Sequence, residues 1–430
     1  MTAAETAWAE AMTFDNRADP YPFFDELRQT PVARVADNVY VVTGYRELLA
    51  LAHDPRISSD TTRSPLSTQL VGGAQTAAGA ELVAETEKLQ AYGHDRSIIV
   101  SDPPDHDRAR RLLMRYFGPP HSPDVIPGME PDIQRLCDEL LDKVRARGEN
   151  RLDVVDDYAY PVPVWAISKI MGVPLQDEPL FHAWIFDFMA GFDVGPDAAT
   201  EEGKARLEKA RTSGAAFEQY MADLIQGYQD TPGEGLLSHV VNDDGPDGPM
   251  SLKEAVSNGT LLLTAGHDST VNTIAHCVLM LLRNPDSLDL VRRRPELVPG
   301  AVEEALRMQS AVQFFPSRSA TADIEIGDTV IPKGAAVHLM YGAANRDPAR
   351  FTNPSRFDPQ RSDNEHVGWG RSIHVCFGGP LARLEVNLAL ETFLRRVENP
   401  RLMVDPPPYR RSHIFRGPRH LLVEFDRIND

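Results

Sequence analysis

Cysteine is scarce in this chain. Three occur in 430 residues, Cys137, Cys277 and Cys376, and no two have CxxC spacing. An odd, sparse set builds no disulfide framework and suits a reducing compartment. It also argues against a structural zinc site, which draws on clustered ligands. Positive charge is short too: 44 Lys and Arg face 63 Asp and Glu, for a net charge of −19. Such a chain repels nucleic-acid phosphates over most of its surface. Long uninterrupted apolar runs are missing. The most apolar stretch, residues 259–282, is broken by His267, Asp268, Asn272 and His276, groups that lipid penalises. The N-terminal segment lacks the basic start and apolar core of a signal peptide. The expectation is a cytoplasmic protein that binds neither membrane nor nucleic acid.

What is there is ordinary globular composition, 42% hydrophobic and 25% charged. Length alone allows about three domains or one large fold. Periodicity predicts a mainly α protein with small β-sheets (α+β). Residues 32–35 and 39–42 read as a hairpin, and 45–53 as a short helix. The Ser-, Thr-, Gly- and Ala-rich stretch 58–100 reads as a functional loop. Helices are expected over 105–117, 132–147, 161–171, 181–189 and 201–228. The longest is 251–284, where Ser251 with Glu254 makes a capping box and Asn284-Pro285 a stop. Short strands follow at 317–320, 324–326, 329–331 and 336–340, then an irregular stretch over 345–365 and a last helix over 376–397. No internal repeat or linker tract divides the chain, so residues 1–430 are read as one domain.

Chemistry concentrates around Cys376. A loop of small residues precedes it and a helix follows, so its sulfur faces free N–H groups and the positive end of a helix dipole. That arrangement favours thiolate, as a metal ligand or a nucleophile beside His374; a buried, inert cysteine is the plain alternative. Residues 265–270 read Ala-Gly-His-Asp-Ser-Thr within the longest helix. A glycine there costs about 1 kcal/mol relative to alanine, so Gly266 serves either close packing or an open space. Asp268 with Ser269 is either an acid–alcohol pair or part of a solvated face. Glu304 and Arg307 make an i,i+3 pair of the kind common on helix surfaces. His106 and Arg110 lie one helical turn apart and share a face.

In this order, these segments resemble the cytochrome P450 family, the soluble bacterial haem-thiolate monooxygenases. The family pattern appears as Trp369, Gly370, Ser372, His374, Cys376, Gly378, Leu381 and Ala382, with Trp369 in place of Phe and Ser372 in place of Gly. The resemblance implies the family's triangular-prism-like helical fold around haem b, with Cys376 as the iron ligand. It places Ala265, Gly266 and Gly378 against the haem, and His106, Arg110, Arg318 and His374 at its carboxylates. Asp268, Ser269 and Thr270 become proton-relay residues, with Ser269 where Thr is usual. Glu304, Arg307 and Arg361 become a structural triad. The expected substrate pocket comprises Ile98, Ile99, Phe186, Met189, Leu261, Thr264, Phe314, Phe315, Ile414 and Phe415. Its apolar, aromatic character fits a terpenoid, polyketide or aromatic compound.

The resemblance further implies a monomer that activates dioxygen with electrons from NAD(P)H. No reductase domain is fused, so a ferredoxin and a ferredoxin reductase would deliver them. Arg111, Arg115 and Arg371 are candidates for docking that acidic donor. Hydroxylation is the leading reading. Oxidative coupling or desaturation, and a haem-binding sensor without turnover, are the alternatives.

Overall fold

The computed structural model of the chain describes residues 1–60, 97–191, 200–315 and 318–430. Most of the expected loop over 58–100 lies outside them. The helical body is organised by Leu252–Arg283, whose 32 residues span about 48 Å. Its start is the expected capping box: Ser251 Oγ accepts from the Glu254 N–H, and the Glu254 carboxylate accepts from the Ser251 N–H at 2.9 Å. Helices Pro161–Met171, Glu201–Asp230, Val298–Met308 and Gly379–Arg396 pack on it. Cys137 and Cys277 are buried in this helical core, and burial pushes the Cys137 thiol up to about 12. Gly266 sits where this helix packs against Pro161–Met171. A methyl group there would fall 2.6 Å from Ile167 Cγ1, so close helix packing accounts for this glycine.

The strands form a smaller layer. Val32–Ala36 pairs antiparallel with Val39–Val42, which runs parallel to Ala336–Met340. Ser319–Ala320 and Ile57–Ser58 extend the sheet beyond Ala336–Met340, and Phe314–Phe315 also pairs with that strand. Ile324–Ile326 and Thr329–Ile331 close a separate hairpin. The sequence reading missed the helices Ala3–Ala11 and Tyr21–Arg28 and the three-stranded sheet that joins Arg151–Asp153, Leu422–Glu424 and Arg401–Leu402. Helices this short are marginal alone. Tyr21, Phe24 and Leu27 hold the second one by packing in the core formed with Val35, Val41 and Met340.

The irregular 345–365 stretch is fixed by buried charge. Arg307 donates twice to Glu304, both at 2.8 Å, and both side chains are fully buried. The other guanidinium nitrogen donates to the Asn345 and Pro354 carbonyls. Arg361 Nε donates to Glu304 at 3.0 Å, completing the expected triad. Removing one member of a buried ion pair leaves a desolvated charge, which typically costs about 3–5 kcal/mol. Glu304→Gln should therefore lower the unfolding free energy by about 3 kcal/mol or more in urea titrations. A loss under about 1 kcal/mol would mean that the triad does not anchor this segment.

Candidate active site

The cysteine segment is a loop closed by its own backbone. The Cys376 N–H donates to the Trp369 carbonyl at 2.7 Å, and the Val375 N–H to Ser372 at 3.1 Å. The turn needs two residues in the left-handed region, Gly370 at φ +71° and Ser372 at φ +61°. The serine thus adopts the conformation that glycine takes most easily.

A second carboxylate holds the loop from outside. Glu303 accepts from the Trp369 indole N–H at 3.0 Å, from Arg383 at 2.7 Å and from His366 at 2.9 Å. The Arg383 guanidinium also lies 4.5 Å from the Trp369 ring centre. Burial works to raise the Glu303 pKa, but the bonds from His366, Arg383 and Trp369 outweigh it and hold it at about 2. The Trp369 N–H thus makes a bond that phenylalanine lacks. Nothing in the local sequence pointed to Glu303.

Beside the loop lies a cavity of about 300 Å³. Cys376, Gly378, Ala265, Gly266, Ser269 and Thr270 line it, together with Arg110, Arg318 and His374. Although Cys376 is open to this cavity, the surrounding protein desolvates it. That burial pushes the thiol above its ordinary value, against the Gly378 N–H, Arg110, Arg383 and the Gly379 N–H. The expected helix-terminus effect is present and loses to desolvation. In the same cavity, burial lowers the pKa of Arg318 and of Arg110. Burial first, then Arg318, His106 and Arg110, holds His374 down to about 2. Its Nε2 pairs with Ser59 Oγ at 2.8 Å. His106 stands behind His374 with ring centres 4.7 Å apart, and its buried Nε2 has no partner.

The apolar lining includes Ile98, Ile99, Met189, Leu261, Phe315, Ile414 and Phe415. Thr264 Oγ1 is buried there without a partner. Two expected residues belong elsewhere. Phe186 is 59% exposed, because Phe181, Ile185 and Phe188 form the buried face of its helix and residue 186 points about 100° away from 185. Phe188 lines the cavity instead. Phe314 packs against Trp8 and His338 on the opposite face of its strand from Phe315. Asp268 is also turned aside: it pairs with Arg410, while Ser269 Oγ donates to the Ala265 carbonyl at 3.2 Å. A buried cavity-lining carboxyl that sequence reasoning missed, Glu385, is raised well above the ordinary range by burial.

The cytochrome P450 family model matches residues 64–294 and 291–425. The chain is a cytochrome P450. It is 33% identical over 433 residues to cytochrome P450 107B1 of Saccharopolyspora erythraea, covering 98% of this chain and 99% of the relative. It is 34% identical to the cytochrome P450 monooxygenase PikC of Streptomyces venezuelae, over 92% and 88% of the two chains. The solved structure of CYP164A2 from Mycobacterium smegmatis superposes with a TM-score of 0.83 at 32% identity, over 98% of this chain and 100% of that one. The family is one of haem monooxygenases supplied with electrons from outside. The residues here fit haem: a cysteine at a helix start for iron, an apolar slot, and a cationic end with an orphaned His106 nitrogen for the propionates.

The Glu303 clamp has a pH signature. Its folded pKa lies below the ordinary 4.5, so it stabilises above about 4.5 and fades as the pH falls towards 2. Glu303→Gln should be less stable than the parent by at most about 3 kcal/mol at pH 7, a gap that closes in acid. Denaturation at several pH values measures it, and a pH-independent gap would refute the clamp. Ser372→Gly should raise stability by up to ~1 kcal/mol by relieving the left-handed strain, as read by thermal melting.

Proposed function

We propose that this P450 is one oxygenase domain that hydroxylates a large apolar natural-product molecule, of polyketide or terpenoid type, using two electrons per turnover from NAD(P)H through a ferredoxin and its reductase. The observation that carries this is the convergence of Cys376, Arg110, Arg318 and His374 on one cavity whose remaining lining is mostly apolar. Haem held there would supply the dioxygen-activating chemistry. Cys376 would be its iron ligand, and Arg110, Arg318, His106 and His374 would hold its carboxylates.

The protein contributes orientation and protons. Ile98, Ile99, Leu261, Phe315, Ile414 and Phe415 exclude water and hold the apolar substrate. The unpartnered Thr264 hydroxyl offers a hydrogen bond to a substrate oxygen. Ser269 and Thr270 present hydroxyls at the cavity, and Asp268 relays protons to Ser269 by turning from Arg410. The substrate class draws support from relatives such as PikC and the 6-deoxyerythronolide B hydroxylase of S. erythraea. The CYP109E1 structure from Bacillus megaterium, with a TM-score of 0.81 at 27% identity, was solved with testosterone.

We place the donor on the cysteine side of a monomeric enzyme. Arg111 and Arg115 already pair with Asp247 and Asp243, and Arg371 donates to the His366 carbonyl. A ferredoxin would exchange those acidic partners for its own. No helix among the described residues is long and apolar enough to cross a membrane, which agrees with a cytoplasmic enzyme.

The reduced carbon monoxide complex should show the thiolate-type band, and Cys376→Ala should abolish it. A band that persists would remove the ligand assignment. A compound screen for the low-spin to high-spin shift should then favour oxygen-bearing apolar molecules. With such a hit, labelled dioxygen should appear in the product, whereas unlabelled product would favour coupling or desaturation.

A further inference from the structure

The central helix has a second polar face, away from the cavity. Asp268, Asn272 and His276 lie at i, i+4 and i+8, so they share one side. The 409–418 hairpin lies along that side. The Arg410 N–H donates to the Gly417 carbonyl at 3.0 Å, and Tyr409 bridges to Pro418. Arg410 pairs with Asp268, Gly417 abuts Asn272, and the Tyr409 ring lies 6.1 Å from that of His276. Between helix and hairpin, five polar atoms are buried without a partner: both of the Asn272 amide, both ring nitrogens of His276 and the Tyr409 hydroxyl. Asn272 is 0% exposed, His276 1% and Tyr409 7%. Orphaned buried groups in such numbers are abnormal, and ordered water is their usual partner. Burial, with Arg416 and Arg283, keeps His276 well below its ordinary pKa. Its neutral ring offers one donor and one acceptor, as a water file requires.

We propose that this seam binds ordered water and is the side from which Asp268 is reprotonated during turnover. The inference rests on the reading of Asp268 as the relay acid. Arg410 holds the carboxylate at the mouth of the seam. A seam water gives its proton to the carboxylate oxygen, and the next water restores it. Only O–H bonds change, and no electrons move. Asn272, His276 and Tyr409 are positioning residues that order the water.

The test uses the haem-loaded enzyme. Its crystal structure should place solvent within hydrogen-bonding distance of Asn272, His276 and Tyr409. Direct bonds among these side chains, with no solvent between them, would overturn the site. Asn272→Leu keeps the side-chain shape and removes both polar atoms; Tyr409→Phe removes one hydroxyl. With a surrogate ferredoxin and reductase, each should raise the solvent deuterium isotope effect on NADPH oxidation. Each should also raise several-fold the share of electrons recovered as hydrogen peroxide, with the carbon monoxide band unchanged. A shift in melting temperature alone would be structural and would overturn the supply role. Asp268→Asn is measured beside them. If it raises both readings and the seam variants raise neither, only the seam fails. If it raises neither, the relay reading fails and the seam proposal falls with it.

Discussion

Two adjacent carboxylates on one turn of the Val298–Met308 helix set the position of the cysteine. Glu304 looks inward and binds Arg307 and Arg361, which hold the irregular segment leading to the loop. Glu303 looks toward the loop itself and gathers Trp369, His366 and Arg383. The loop has little regular structure, so its geometry must be imposed from outside. A sulfur that ligates a metal tolerates little displacement. Side-chain charge, fully buried at Glu304 and part-buried at Glu303, is the restraint here, and both halves of it come from neighbouring residues of a single helix.

This restraint also explains how the family pattern is varied in this chain. Trp369 can replace phenylalanine because Glu303 satisfies its N–H. Ser372 can replace glycine because the loop is bonded on both sides of it, at Gly370 and Val375, which offsets a strain of ~1–2 kcal/mol. Gly266 tells the same lesson from the other side of the cavity. Room for a reacting molecule and close packing were rival accounts of it. The contact with Ile167 shows that packing is sufficient reason, although Gly266 also lines the cavity.

Most of the site was legible because its chemistry is carried by short motifs. The spacing of His106 and Arg110, the residues around Asp268 and the loop before Cys376 each occupy one short segment, so the resemblance to the family could place them from local sequence alone. The long helices and the 324–340 strands were legible from their periodicity. Side-chain direction was not. Phe186 lies two residues from Phe188 and Phe314 one residue from Phe315, and Phe188 and Phe315 both line the cavity; two steps along a helix turn a side chain by about 200°, and one step along a strand reverses its face. Glu303 was invisible because its partners lie more than 60 residues away in sequence. Asp268 was found by motif, but its rotation toward Arg410 depends on a hairpin 142 residues downstream.

The cationic end of the cavity makes a final point about what this fold is complementary to. Arg110, Arg318 and His374 are gathered in desolvated surroundings within a chain of net charge −19. Burial opposes charge on each, and the two arginines together push His374 down. Burying like charges together adds nothing to stability by itself. An anionic ligand would give these groups a charged acceptor and so offset the burial that opposes their charge. The two carboxylates of a haem meet that requirement at the same end of a slot whose floor is Cys376. The thiol at that floor is held above its ordinary pKa by burial, so holding iron there would require it to give up its proton. Binding of an anionic, iron-bearing cofactor would therefore relieve both penalties, at the thiol and at the cationic groups, and both arise because the surrounding protein excludes water.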